Sequence, residues 1–185
     1  MRIQTMLRLS AVLTVLCLST ATFGQAITKE LQDKIDAQIK QASAWAAEPA
    51  IVKAVKEQNA SQTDEYKAMT QDKWKSLGVL DPFVRAFTKN DAGALLKSKK
   101  TDAVVEAFLS AADGKKVAFL SKPTNWSHAG KPKHDDPMNG KTWQGTIEVD
   151  ESTGLQQIQI AVPVLADGKS IGSLVVGLSV STLKE

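Results

Sequence analysis

The segment TNWSHAGKPKHDDPMNGKTWQG, residues 124 to 145, gathers both histidines of the chain, two of its four tryptophans and the adjacent carboxylates Asp135 and Asp136. Three chemistries use such a set. His128, His134, Asp135 and Asp136 offer nitrogen and oxygen donors, and three such groups with a water suit a catalytic zinc. A histidine oriented by a carboxylate acts as a base beside a hydroxyl nucleophile. Alternatively the segment covers a pocket, with Trp126 or Trp143 stacking on a ligand and Asp135 or Asp136 meeting a ligand ammonium in a partly desolvated site.

Spacing weighs against the first two. The histidines match no compact metal motif, and Gly130, Pro132, Pro137 and Gly140 punctuate the segment as turns do. The serines lie mostly in strand-like stretches, the blandest surroundings for a nucleophile. For the carboxylates the plain alternative is solvent exposure beside Lys131 and Lys133. Trp74, on a helical stretch, is either a pocket wall or core, and Arg85 is either a partner for a ligand carboxylate or a surface residue.

These residues need a scaffold. A chain of 185 residues with 43% hydrophobic and 23% charged residues fits one globular core and is too polar for a membrane bundle. Its start reads as an export signal: Arg2 and Arg8, then the apolar run LSAVLTVLCLST, then the small residues of ATFGQA. Cleavage after Ala26 or Gly24 is expected, with residues 27–185 forming the mature domain. Leu16 before Cys17 argues against a lipid anchor. Removing residues 1–26 takes away Arg2 and Arg8, so 23 basic side chains less two stand against 20 acidic ones. That near-balance excludes a nucleic-acid coat. It also leaves no cysteine, so a disulfide framework is excluded and the core must hold the fold.

From Thr28 to about Ala47, Leu31, Ile35, Ile39, Ala42 and Ala46 recur at spacings of three and four, predicting an amphipathic helix capped by Thr28. A second helix follows Pro49, a third spans residues 63–78, and residues 81–100 are mostly helical. After residue 102 the period changes. VVEAFLSA and KKVAFLS flank Asp113-Gly114, GTIEVD and LQQIQIAVPVL flank ESTG, and SIGSLVVGLSVSTL follows a second Asp-Gly, predicting five strands. Alternation places Ile158, Ile160, Val162 and Val164 on one face, with Leu174, Val176, Leu178 and Val180 likewise on one face of the last strand. The other face carries Ser173, Val175, Gly177 and Ser179, which either meets water or floors a small cavity. Only the connection between strands two and three is long, and it is the segment with the histidines.

The helix followed by VVEAFLSAADGKKVAF, a variable loop and TIEVDESTGLQQIQIAVPVLADGKSIGSLVVGLSVSTL resembles the single Cache family of extracytoplasmic sensor domains, of PAS-like, PDC-type fold. The resemblance implies an α+β fold, with a long N-terminal helix and further helices packed on a five-stranded antiparallel sheet. It implies a small-molecule ligand, such as an amino acid, an amine or a small carboxylate, held by the insert after strand two. Trp126, His128, Asp135, Asp136, Trp143 and Trp74 are then the expected ligand contacts, with no metal, no cofactor and no catalysis. After the signal no apolar stretch of about 20 residues could span a bilayer, so the expected output runs through a separate membrane signalling protein. A homodimer through the N-terminal helix and a periplasmic or secreted location complete the expectation. A ligand-free interaction module of the envelope is its alternative.

Overall fold

The computed structural model describes residues 27–149 and 154–185; the stretch expected as an export signal, residues 1–26, and the expected DEST turn, residues 150–153, lie outside the described residues. Helix α1, Lys29–Ala46, begins where the Thr28 side chain accepts from the Leu31 N–H, and its stripe of Leu31, Ile35, Ala42, Trp45 and Ala46 is buried. Proline in the first turn of α2, Pro49–Ala60, breaks the run, and α2 buries Ile51 and Val55.

The stretch expected as one third helix is two, α3 at Asp64–Lys67 and α4 at Gln71–Ser76. Thr63 and Thr70 each accept from a backbone N–H three residues on, which starts a new helix rather than prolonging the old one. Residues 81–100 divide in the same way into α5, Pro82–Lys89, and α6, Asp91–Ser98. Asn90 is the divider: its side-chain oxygen accepts from the Gly93 N–H at 2.7 Å, and its amide donates to the Val117 carbonyl at 2.8 Å.

The sheet comprises β1 Val104–Ala111, β2 Lys116–Phe119, β3 Trp143–Val149, β4 Gln156–Ala166 and β5 Lys169–Ser179. Its order is β2-β1-β5-β4-β3, with every neighbouring pair antiparallel. The last strand stops earlier than its apolar run predicts. The Ser179 hydroxyl accepts from the Thr182 N–H and opens a short helix, α8 Val180–Lys184, so Val180 joins the core from a helix.

Helices α1 and α2 cover one face of the sheet, where Ile158, Ile160, Val162, Val164, Leu174, Val176 and Leu178 pack with Leu31, Ile35, Ile51 and Val55. Each such side chain removed from water contributes roughly 1.5–3 kcal/mol. The other face is covered too, which settles what the small residues of β5 do: Ser173 and Val175 are fully buried. Over them lie the β2–β3 connection and an aromatic cluster of Tyr66, Trp74, Phe87, Phe108, Phe119 and Trp126. Burial on both faces explains why nearly all of β5 is inaccessible.

Candidate functional site

Residues 127–138 form the cover over one end of this second face. Gly114, at the β1–β2 turn with φ +77°, makes the approach possible: a Cβ there would stand 2.3 Å from the Ala129 nitrogen. The Gly114 carbonyl accepts from the His128 N–H at 2.9 Å, and the Ser127 hydroxyl donates to the Asp113 carbonyl at 3.2 Å. From this anchor the chain enters a seventh helix, α7 Pro132–Met138, where turn-rich surface loop was expected; the prolines sit within its first turn and at Pro137. His134 and Pro137 point inward from it.

Beneath the cover lies a group that sequence reasoning missed. Lys116 is fully buried, its Nζ 3.2 Å from Ser110 Oγ, 2.5 Å from His128 Nδ1 and 4.6 Å from the Phe108 ring centroid. No carboxylate lies within ion-pairing distance of it among the described residues. Burial brings its pKa down to about 7 against an ordinary 10.5; Glu106 opposes that pull, and Lys133 and Lys131 add to it. The signal was the hairpin register, which pairs Lys116 with Ser110 and so turns it toward the covered face. Lysine at an inward position beside an Asp-Gly turn reads as surface only when the strand is assumed to have a wet side.

His128 stacks on Phe108, ring centroids 4.7 Å apart and planes 16° off parallel. Burial holds its pKa far below the usual histidine range, with Lys116, Lys133, Lys131 and His134 pushing the same way. His134 places Nδ1 2.8 Å from Ser173 Oγ and Nε2 3.3 Å from the Ala112 carbonyl. Because that carbonyl only accepts, Nε2 carries the hydrogen and Nδ1 of the neutral ring accepts from the serine. Burial lowers its pKa as well, partly opposed by the Ala112 hydrogen bond and by Asp135.

The other expected site residues divide. Trp74 and Trp126 are buried with ring centroids 5.0 Å apart, inside the aromatic cluster. Trp74 Nε1 donates to the Pro123 carbonyl at 2.8 Å, while Trp126 Nε1 is the one buried side-chain polar atom without a hydrogen-bond partner among the described residues. Trp143, half-buried at the start of β3, lies under Lys133, whose Nζ is 5.9 Å from the ring centroid. Lys133 donates to Gln159 Oε1, and Gln159 Nε2 donates to Glu106 Oε2 at 2.7 Å, a polar relay across the face. Asp135 accepts from the Gly130 N–H of its own segment at 3.1 Å. Neither Asp135 nor Asp136 has a side-chain hydrogen bond or ion pair to the sheet among the described residues, whereas both histidines hydrogen-bond to it.

No group of three or more histidines, cysteines or carboxylates among the described residues could hold a metal. Gly168 to Gly172 has the Gly-x-Ser-x-Gly spacing of a nucleophile elbow, but it runs across the β4–β5 hairpin instead of a strand-to-helix turn. A cleft of about 230 Å³ opens at the far end of the same face, lined by Val105, Glu106, Lys122, Thr124, Leu155 and Gln157 among others.

Neither a protein-family model nor a curated protein matches the chain. Solved structures do. The sensor domain of DcuS from E. coli is 11% identical with a TM-score of 0.50, over 85% of this chain and 96% of that one. The ligand-binding domain of the Pseudomonas aeruginosa amino acid chemoreceptor PctC, in complex with GABA, gives 13% and 0.47 over 83% of this chain and 56% of that one. That of the Pseudomonas fluorescens chemoreceptor CtaA, in complex with L-valine, gives 17% and 0.46 over 83% and 57%, so this chain spans little more than half of either chemoreceptor domain. The chain therefore has the α+β, PAS-like fold of single Cache sensor domains, with its helices on a five-stranded antiparallel sheet. Among the described residues no helix is long and apolar enough to cross a membrane.

Proposed function

We propose that this protein is an exported small-molecule sensor domain whose ligand enters beneath the cover formed by residues 127–138 and meets Lys116 on the sheet face. One observation carries the reading: a fully buried lysine with no carboxylate partner. Such a group is costly to keep, because an unpaired buried cation loses its hydration and gains no ion pair. Costly titratable groups gather at functional sites. A ligand anion, such as the carboxylate of an amino acid or small organic acid, would supply the missing charge, with Ser110, Ser173 and the displaced histidines as further hydrogen-bonding groups. What the printed names of PctC and CtaA say they bind, GABA and L-valine, fits a ligand of this class.

The chain itself performs no chemistry on the ligand in this reading. Binding selects a different position of the cover and shifts β5 or α1, and a membrane signalling protein reads that surface. The export signal in residues 1–26 sends the domain to the periplasm or beyond the cell, and two copies pair through α1.

A second reading has its own observation. The face expected to hold a ligand is filled by the aromatic cluster and by the buried histidines. A PAS-like module that binds no metabolite and acts by contact alone would look like this.

A thermal-shift panel separates the two. It comprises amino acids, polyamines, small carboxylates, nucleobases and divalent metals. A ligand that binds only the folded state adds RT ln(1 + [L]/Kd), about 2.7 kcal/mol at a hundredfold excess over Kd. The sensor reading expects an anionic compound to raise Tm, and expects the rise to vanish in Lys116→Met. A panel with no hit favours the contact module, and a rise from zinc alone returns the two histidines to metal binding.

A further inference from the structure

We propose that His128 and His134 are the two clasps that fasten residues 127–138 to the sheet, and that acid opens them, so the site is gated by protons. The gating role rests on the sensor reading; the opening itself does not.

The fastenings of this segment are of two kinds. Backbone pairing with Gly114, the Ser127 hydroxyl on the Asp113 carbonyl and the burial of Pro137 do not titrate, and Lys133 donates to Gln159 as a charged or a neutral amine alike. The side-chain clasps do: His128 grips Lys116 and Phe108, and His134 spans Ser173 and Ala112. Both are made by neutral rings. His128 is the stronger clasp because of what faces it. Lys116 approaches from β2, Lys131, Lys133 and His134 from the segment itself, and the Phe108 ring from β1. None of these is an anion; Glu106 acts on Lys116 and Lys133 rather than on His128. Adding a proton to His128 in place sets a second cation 2.5 Å from an amine that is itself part-charged near neutrality. His134 is faced by carboxylates as well as by Lys116, since Asp135 on α7 and Asp113 at the β1–β2 turn both favour its charged form. Ser173 can also turn to accept from a protonated ring, so this clasp yields less.

The sign follows from which state binds the proton. In the closed state both rings are neutral; in an open state they return to water and titrate near 6.5. Protons therefore favour opening as pH falls through 6.5, by a factor of 1 + 10^(6.5 − pH) for a ring that stays neutral when closed. At pH 5 that is about 30-fold for His128, with a smaller factor added by His134.

The test is amide hydrogen exchange on the purified protein between pH 7 and pH 5, corrected for the intrinsic pH dependence of exchange. The expected result is a fall in protection of the amides of residues 127–138 by about 30-fold or more, while those of β4 and β5 hold. In His128→Gln, which keeps a polar side chain toward Lys116 without titrating, most of that dependence disappears; His134→Gln removes a smaller share. A segment equally protected at both pH values overturns the proposal. So does a variant lacking His128 that keeps the full acid dependence, or a loss that β4 and β5 share in full. Repeating the compound panel at both pH values separates the two ideas. Acid opening with no binder at either pH removes the sensor and keeps the latch; a binder found while the segment stays shut in acid removes the latch and keeps the sensor.

Discussion

Lys116→Met is expected to raise the stability of the fold by about 2–4 kcal/mol at pH 6 and to leave it unchanged or slightly lower at pH 10. The wild-type amine carries a pKa of about 7 in the folded state against 10.5 in an unfolded chain. Its penalty is therefore complete below pH 7, where it is charged in both states, and fades as pH rises through the window up to 10.5, where only the unfolded state holds the proton. A difference of that size corresponds to on the order of 5 kcal/mol. Methionine fills nearly the same volume but strands Ser110 Oγ and His128 Nδ1, which returns roughly 1 kcal/mol for each. Urea melts at the two pH values measure the result. A variant less stable than wild type at pH 6 would mean that the lysine is satisfied where it stands, and the case for a missing anion would go with it.

Trp74→Ala is expected to cost about 4 kcal/mol, from the range of roughly 3–5 for a buried tryptophan truncated to alanine. The ring is fully buried, within 5.0–6.1 Å of the ring centroids of Trp126, Phe119 and Phe87, and its Nε1 is the donor to the Pro123 carbonyl. Truncation opens a large void in the aromatic cluster and leaves that carbonyl unpartnered. Because Pro123 belongs to the run leading into the cover, the loss also loosens residues 121–126. A tryptophan that merely walled an open pocket would cost 1 kcal/mol or less, so a small loss in equilibrium denaturation would return Trp74 to the ligand side of the ledger.

The contrast between these residues shows where the sequence speaks and where it is silent. Period 3.6 in residues 28–47 and period 2 after residue 102 marked α1 and the five strands, because each element has one face that must be apolar. Hydrophobic spacing runs through residues 63–78 as one helix and through 81–100 as mostly helix, while Thr70 and Asn90 break both through side-chain hydrogen bonds, which leave no mark on that spacing. The histidines were visible as chemistry, yet their burial was not. Gly and Pro in residues 129–140 announce turns whether those turns lie on the surface or roof a sheet. Asp135 and Asp136 look, in sequence, like the charged heart of the segment, but the short α7 turns His134 inward and sets Asp135 against Gly130. Lys116 was hidden for the opposite reason: the alternation that buries it is clear, but lysine is almost never placed in a core unless something there needs it.

For a ligand to reach Lys116, the cover must open over it in the native protein. The direct measurement is the rate at which an amine-specific reagent labels the Lys116 Nζ at pH 7.5, read by peptide mass spectrometry beside the rate of global unfolding. Closed, the amine is fully buried and shut away from the reagent, so opening of residues 127–138 predicts labelling at least tenfold faster than global unfolding permits. Labelling of Lys116 only at the rate at which the whole fold unfolds would contradict it.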